Sequence, residues 1–237
     1  MAPRATPPGA LLESAAAARQ QGDWRGVRQA LQQAADDGAA LPAESVELLA
    51  LASWWCGDVP AALQLTERAH QMLLAEDRAA DAAECAATMS ILALLRGDAT
   101  LASGWLSRAR RLLDGLDAGR AHALVHFVDA FAAIEGRDLA SALSEAAAVQ
   151  QVALRLAEPT LAALGLMAEG VARVRSGEVH AGLALLDEAM LPVVGGQVLP
   201  EYAGAIYCMV IGVCGDLADL SRARAWTSAT ERWAGQF

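Results

Sequence analysis

The 237-residue chain has few aromatic residues, only 5% of the total. Few segments alternate Val, Ile, Thr or aromatic residues with polar ones, as half-buried strands do. The sequence therefore predicts no β-sheet. Alanine and leucine supply most of the 55% hydrophobic content. Because alanine has the highest helix propensity and little bulk, this composition predicts an all-α fold with closely packed helices.

Basic residues are also scarce, with 18 Lys and Arg against 28 Asp and Glu, which gives a net charge of −10. Proteins that bind DNA or RNA usually present a basic patch. The only local basic cluster is formed by Arg108, Arg110 and Arg111, and acidic residues flank it, so it is interpreted as a solvated helix face. We expect no direct nucleic-acid binding by this chain.

Signals for secretion and membrane insertion are missing as well. Residues 1–9 carry no apolar segment of a signal peptide and are interpreted as a disordered arm. The longest uncharged stretch, residues 203–215, is shorter than the roughly 20 residues of a membrane span. No CxxC pair occurs, so the four cysteines are predicted to be buried free thiols in a reducing cytoplasm: Cys56, Cys85, Cys208 and Cys214.

Motifs that mark catalytic or cofactor sites are absent from the sequence. It contains no GxSxG, P-loop or Rossmann fingerprint. His122 and His126 have the i, i+4 spacing of zinc ligands, but no third or fourth ligand lies nearby in sequence. We therefore predict no metal, no cofactor and no catalytic residue, and expect a binding role.

The strongest positive signal is a repeat of forty residues. It places a turn dipeptide at Gly57-Asp58, Gly97-Asp98, Arg137-Asp138 and Gly177-Glu178, and a small residue at Ala62, Ala102, Ala142 and Gly182. Glycine tolerates the left-handed conformation that ends a helix, and the acidic residue after it can cap the next one. Twelve helices are predicted, at about 10–21, 24–37, 42–56, 59–76, 79–96, 99–115, 118–135, 138–157, 159–176, 178–194, 200–215 and 219–234.

These units resemble tetratricopeptide (TPR) repeats, because "LALASWWCGDVPAALQLTERA" has small residues where that motif needs them: Ala50, Gly57, Ala62 and Ala69. Residues 12–233, including "RGDATLASGWLSRARRLLDGL" and "CGDLADLSRARAWTSATERW", also look like the sensor region of actinobacterial LuxR-type transcriptional regulators. The resemblance implies a right-handed TPR-like α-solenoid of about six helical hairpins over residues 10–237. No helix-turn-helix DNA-binding domain is recognisable, which suggests an excised sensor region or a free-standing relative.

The candidate ligand site is a set of bulky side chains on an alanine-rich scaffold. In TPR-like stacks the first helix of each hairpin lines the concave surface, and apolar concave surfaces with a few polar groups bind small molecules. Trp54 and Trp55 project about 100° apart on one helix, so one ring should pack between hairpins while the other faces the site. The alternative for each residue is ordinary core packing. The predicted site comprises Trp54, Trp55, Trp105, His126, Phe127, Glu169, Tyr202 and Tyr207.

Three functions fit this pattern. The first is a sensing module of, or derived from, a LuxR-type regulator, which binds a small hydrophobic molecule or a protein partner. The second is a protein-interaction scaffold or homodimer, for which Trp226 and Trp233 offer an association stripe on the last helix. The third is a solenoid recruited to bind or transform a hydrophobic metabolite.

Overall fold

A computed structural model describes residues 7–235, including all of their side chains except those of Pro8 and Leu95. These residues form twelve α-helices and no strand, as predicted. The helices are α1 Pro8–Gln20, α2 Trp24–Asp36, α3 Ala43–Trp55, α4 Val59–Ala75, α5 Ala79–Leu95, α6 Ala99–Leu113, α7 Arg120–Glu135, α8 Leu139–Leu156, α9 Pro159–Arg175, α10 Val179–Val194, α11 Pro200–Asp216 and α12 Leu220–Ala234.

The repeated dipeptides form the turns between helices. Gly57 and Gly97 adopt φ angles of +80° and +77°, the left-handed conformation that glycine favours. The aspartates that follow these turns cap the next helix, because their carboxylates accept a backbone N–H three residues further on at 3.0–3.2 Å: Asp58, Asp98 and Asp138. Glu178, one methylene longer, makes no such cap and instead accepts from Arg173 at 2.7 Å.

Sequential helices pack as hairpins, α1 with α2 through to α11 with α12. The odd-numbered helices also contact one another, α5 with α7, α7 with α9, and α9 with α11. The small residues of the repeat lie on even-numbered helices and are buried: Ala62, Ala102, Ala142 and Gly182. Four odd-numbered helices, α5, α7, α9 and α11, consequently lie side by side.

The two ends of the chain meet through aromatic rings. Trp55 of α3 stacks on Trp24 of α2, with ring centroids 5.9 Å apart, and contacts Trp233 of α12 edge-on at 6.0 Å. Trp233 also contacts Tyr207 of α11 at 5.6 Å. We call these four rings the aromatic closure. It links the core cluster of α1 to α5 with the cluster of α5 to α12.

The structure also corrects or limits several expectations. Cys208 is exposed and Cys56 is half-buried, so only Cys85 and Cys214 are buried thiols. The outward face of α11 carries Cys208, where no neighbouring helix covers it. Most of the predicted disordered arm lies outside the described residues, and α1 begins within its last two residues, at Pro8.

The predicted association stripe is engaged within the chain itself. Trp226 Nε1 lies 3.3 Å from a carboxylate oxygen of Asp187, and Trp233 belongs to the aromatic closure. Self-association stays a prediction. Within residues 7–235, no helix combines the length and apolar character needed to cross a membrane.

Candidate functional site

A cavity of about 420 Å³ lies between the odd-numbered helices. All six of them contribute side chains, together with two residues of α4 and Leu199 before α11. The volume is within the roughly 300–1,000 Å³ range of small-molecule sites. Its walls are formed by Arg19, Glu44, Glu47, Leu48, Ala50, Leu51, Trp54, Ala62, Thr66, Glu84, Cys85, Thr88, Ile91, Leu92, Arg120, Phe127, Leu164, Leu199, Glu201, Tyr202 and Ala205.

Three of the predicted site residues line this cavity: Trp54, Phe127 and Tyr202. They come from α3, α7 and α11, which the fold brings around the same space. Phe127 is held by an edge-on contact with Phe131, with ring centroids 5.0 Å apart. Burial raises the pKa of Tyr202 to about 12, so its phenol stays protonated at neutral pH. Aromatic rings with a polar tip suit a site that takes an apolar ligand.

Arg120 is the best-compensated charge in the cavity. Its guanidinium lies 2.6 Å from Glu84 and 2.6 Å from Glu158, and it sits over the ring of Tyr202 at 5.8 Å. Burial alone would lower the pKa of Arg120, but the neighbouring carboxylates outweigh it and raise that pKa. Arg120 and Glu84 therefore neutralise each other at one wall.

Glu47 carries a less compensated charge. Its Oε1 accepts a hydrogen bond from the Cys85 thiol at 2.8 Å, and burial raises the pKa of Glu47. Burial and the nearby Glu47 charge raise the pKa of Cys85 far above neutrality, so this group remains a thiol and donates. A thiol is a weak hydrogen-bond donor and brings no positive charge.

Glu201 is the second carboxylate of the cavity whose charge is poorly compensated. Its Oε2 is buried with no hydrogen-bond partner among the described residues, and burial raises its pKa. Its own backbone N–H and the more distant charges of Arg19 and Arg120 only partly oppose that rise. The cavity thus combines apolar walls with two poorly compensated carboxylates, one from α3 and one from α11.

The other predicted site residues lie outside this cavity. Trp55 and Tyr207 belong to the aromatic closure. Trp105 is buried in the core against His70, with ring centroids 5.3 Å apart. His126 Nδ1 lies 2.6 Å from Glu145, and Glu169 accepts from Gln150 and Arg173, both at 2.8 Å. Their ligand-binding role stays a prediction without support from the cavity geometry.

Sequence reasoning did not place the charged residues of the cavity in the site, and the repeat indicates only two of them. Four lining residues lie thirteen positions before a turn residue, and two of the four are glutamates: Glu44, Glu84, Leu164 and Ala205. Glu47 lies ten positions before Gly57 and Glu201 lies seventeen before the turn residue Ala218, so neither shares this register. No known family model and no curated protein matches this chain.

Proposed function

We propose that the chain is a TPR-like α-solenoid that binds a small molecule in the cavity between its odd-numbered helices. The forty-residue repeat and the contacts of α5 with α7, α7 with α9 and α9 with α11 support the solenoid. The first helices of all six hairpins supply cavity walls, which is the surface that TPR-like stacks use for binding. This convergence of six helices on one largely apolar cavity is the observation that carries the proposal.

We further propose that the module is the sensing region of, or is derived from, a LuxR-type transcriptional regulator. The sequence resemblance supports this assignment, and the aromatic closure supplies a contact through which binding is relayed. A ligand that binds the closed arrangement better than an open one shifts the equilibrium between them. The shift then reaches a DNA-binding domain in a longer parent or a partner protein.

Native mass spectrometry of the chain purified from its host tests the binding role. We expect a bound small molecule on the wild type and its loss in Ala205→Phe, which fills the cavity from α11. Cys208→Phe adds the same ring at an exposed position of the same helix and should keep the ligand. An empty wild-type chain that no compound of a metabolite panel stabilises in thermal unfolding would overturn the proposal.

A further inference from the structure

Negatively charged groups outnumber positively charged ones in the cavity wall, which contains four carboxylates and two guanidiniums. We propose that the cavity binds a small molecule with an apolar body and one ammonium group, and that the negative charges of Glu47 and Glu201 favour this cation. The inference rests on the proposed function of the cavity and adds the chemical class of the ligand.

The remaining charges of the cavity are accounted for by protein partners. Arg120 is shared between Glu84 and Glu158. Glu44 pairs with Arg78 outside the cavity wall, and its own backbone N–H together with Arg78 lowers its pKa. Arg19 is exposed and acts on Glu201 only at longer range. Glu47 and Glu201 are therefore the two carboxylates that a ligand would meet.

Burying a carboxylate without a counter-charge destabilises a folded protein, because the charge loses its hydration. Glu201 Oε2 is buried and lacks a hydrogen-bond donor, and Glu47 receives only a thiol. An ammonium group offers three N–H donors and a positive charge, so it supplies what either carboxylate lacks. A ligand carboxylate or phosphate would instead add a like charge at the same wall.

The apolar walls of the cavity favour an organic cation over a metal ion as its ligand. In residues 7–235, no three His, Cys, Asp or Glu side chains converge as a metal ion would require. Trp54, Phe127 and Leu164 offer carbon surface rather than oxygen ligands. Such surface favours an organic body attached to the cation, and the aromatic faces can also attract a cation directly.

Three commercial compounds with one apolar body and different head groups test the inference: 4-phenylbutylamine, 4-phenylbutanol and 4-phenylbutyrate. Isothermal titration calorimetry with the full chain at neutral pH measures each affinity. We expect the amine to bind more tightly than the alcohol, and the butyrate to bind most weakly. A charge-assisted hydrogen bond corresponds to an affinity for the amine that is roughly ten- to hundredfold higher than that for the alcohol.

The variants Glu47→Gln and Glu201→Gln keep the side-chain shape and remove the charge. Each should weaken amine binding by roughly ten- to hundredfold while the alcohol affinity stays unchanged. Glu188→Gln, an exposed carboxylate on α10, is the matched control and should change neither affinity. Melting temperatures without ligand should be equal to or higher than that of the wild type in both cavity variants, which separates lost recognition from unfolding.

The outcomes distinguish this inference from the function on which it rests. Equal affinity for amine and alcohol, tighter binding of the butyrate, or unchanged amine binding in both Gln variants would overturn the ammonium site and leave a binding cavity. Failure of all three compounds to bind would overturn the cavity proposal and this inference together.

Discussion

Replacing Gly182 with alanine should destabilise the protein, because α9 and α10 approach each other through two glycines. An ideal Cβ at position 182 would lie 2.6 Å from the carbonyl oxygen of Gly170 and 2.8 Å from the backbone N of Val174. Ordinary contacts to carbon are 3.4–4 Å, so the helices would have to separate by most of an ångström. Overpacking of this kind costs typically about 1–3 kcal/mol, and the higher helix propensity of alanine offsets about 1 kcal/mol.

The matched control is Gly104→Ala on α6, where the added Cβ would meet nothing within 4 Å apart from its own turns of helix. In this variant the higher helix propensity of alanine is not opposed by overpacking, so the substitution should stabilise the protein by about 0.5–1 kcal/mol. Urea unfolding followed by circular dichroism measures both changes, and their signs should be opposite. If Gly182→Ala proved as stabilising as Gly104→Ala, the close approach would not constrain α9 and α10, and the role assigned to the small repeat residue would be wrong.

Two further predictions concern a buried imidazole and the aromatic closure. His70 Nδ1 lies 2.7 Å from the carbonyl oxygen of Ala82, so this nitrogen carries a proton and donates it. Burial lowers the pKa of His70 below 6.5. The stability that neutral His70 contributes is therefore fully present above pH 6.5 and is lost as the pH falls through the folded-state pKa. Over that range the free energy of unfolding should change by at most about 1.4 kcal/mol per pH unit. His70→Gln should flatten that slope in urea unfolding, and an unchanged slope would contradict the assignment. Trp233→Ala removes ring contacts with Trp55 and Tyr207 and should destabilise the protein by about 1–3 kcal/mol in the same assay.

The helices and their turns were predictable because each depends on a local signal. Glycine followed by aspartate ends one helix and caps the next, as at Gly57-Asp58, and the forty-residue spacing repeats that signal along the chain. All twelve predicted helices have ends within two residues of those in the structure. The interrupted signal at Arg137 was tolerated because its neighbour Asp138 still caps the next helix.

The cavity could be predicted only in part, because it depends on contacts between distant residues. Helix geometry requires the rings of Trp54 and Trp55 to diverge, but nothing local indicates which of them faces the cavity. Trp55 contacts both Trp24 and Trp233, and Trp233 lies on the last helix and has no periodic relation to α3. Glu169 looked like a groove residue because apolar residues flank it, yet Arg173 one turn away satisfies it.

The effect of Trp233→Ala should extend from stability to ligand affinity, since the cavity and the aromatic closure share two helices. On α3, Trp54 lines the cavity while the adjacent Trp55 contacts Trp233. On α11, Tyr202 lines the cavity while Tyr207 contacts the same ring. Loss of the closure should therefore let both walls move, and the apparent affinity falls in proportion to the fraction of molecules that remain closed.

The matched control for this coupling is Trp226→Ala, which removes the same residue type from the same helix. Trp226 packs against the core and contacts Asp187, but it is not one of the four rings of the aromatic closure. Calorimetry with 4-phenylbutylamine should show weaker binding in Trp233→Ala than in Trp226→Ala. Because coupling is reciprocal, the amine should also stabilise the wild type more than the Trp233 variant. Equal affinities in two variants that both fold would show that the closure and the cavity are independent, and the closure would then have only a structural role.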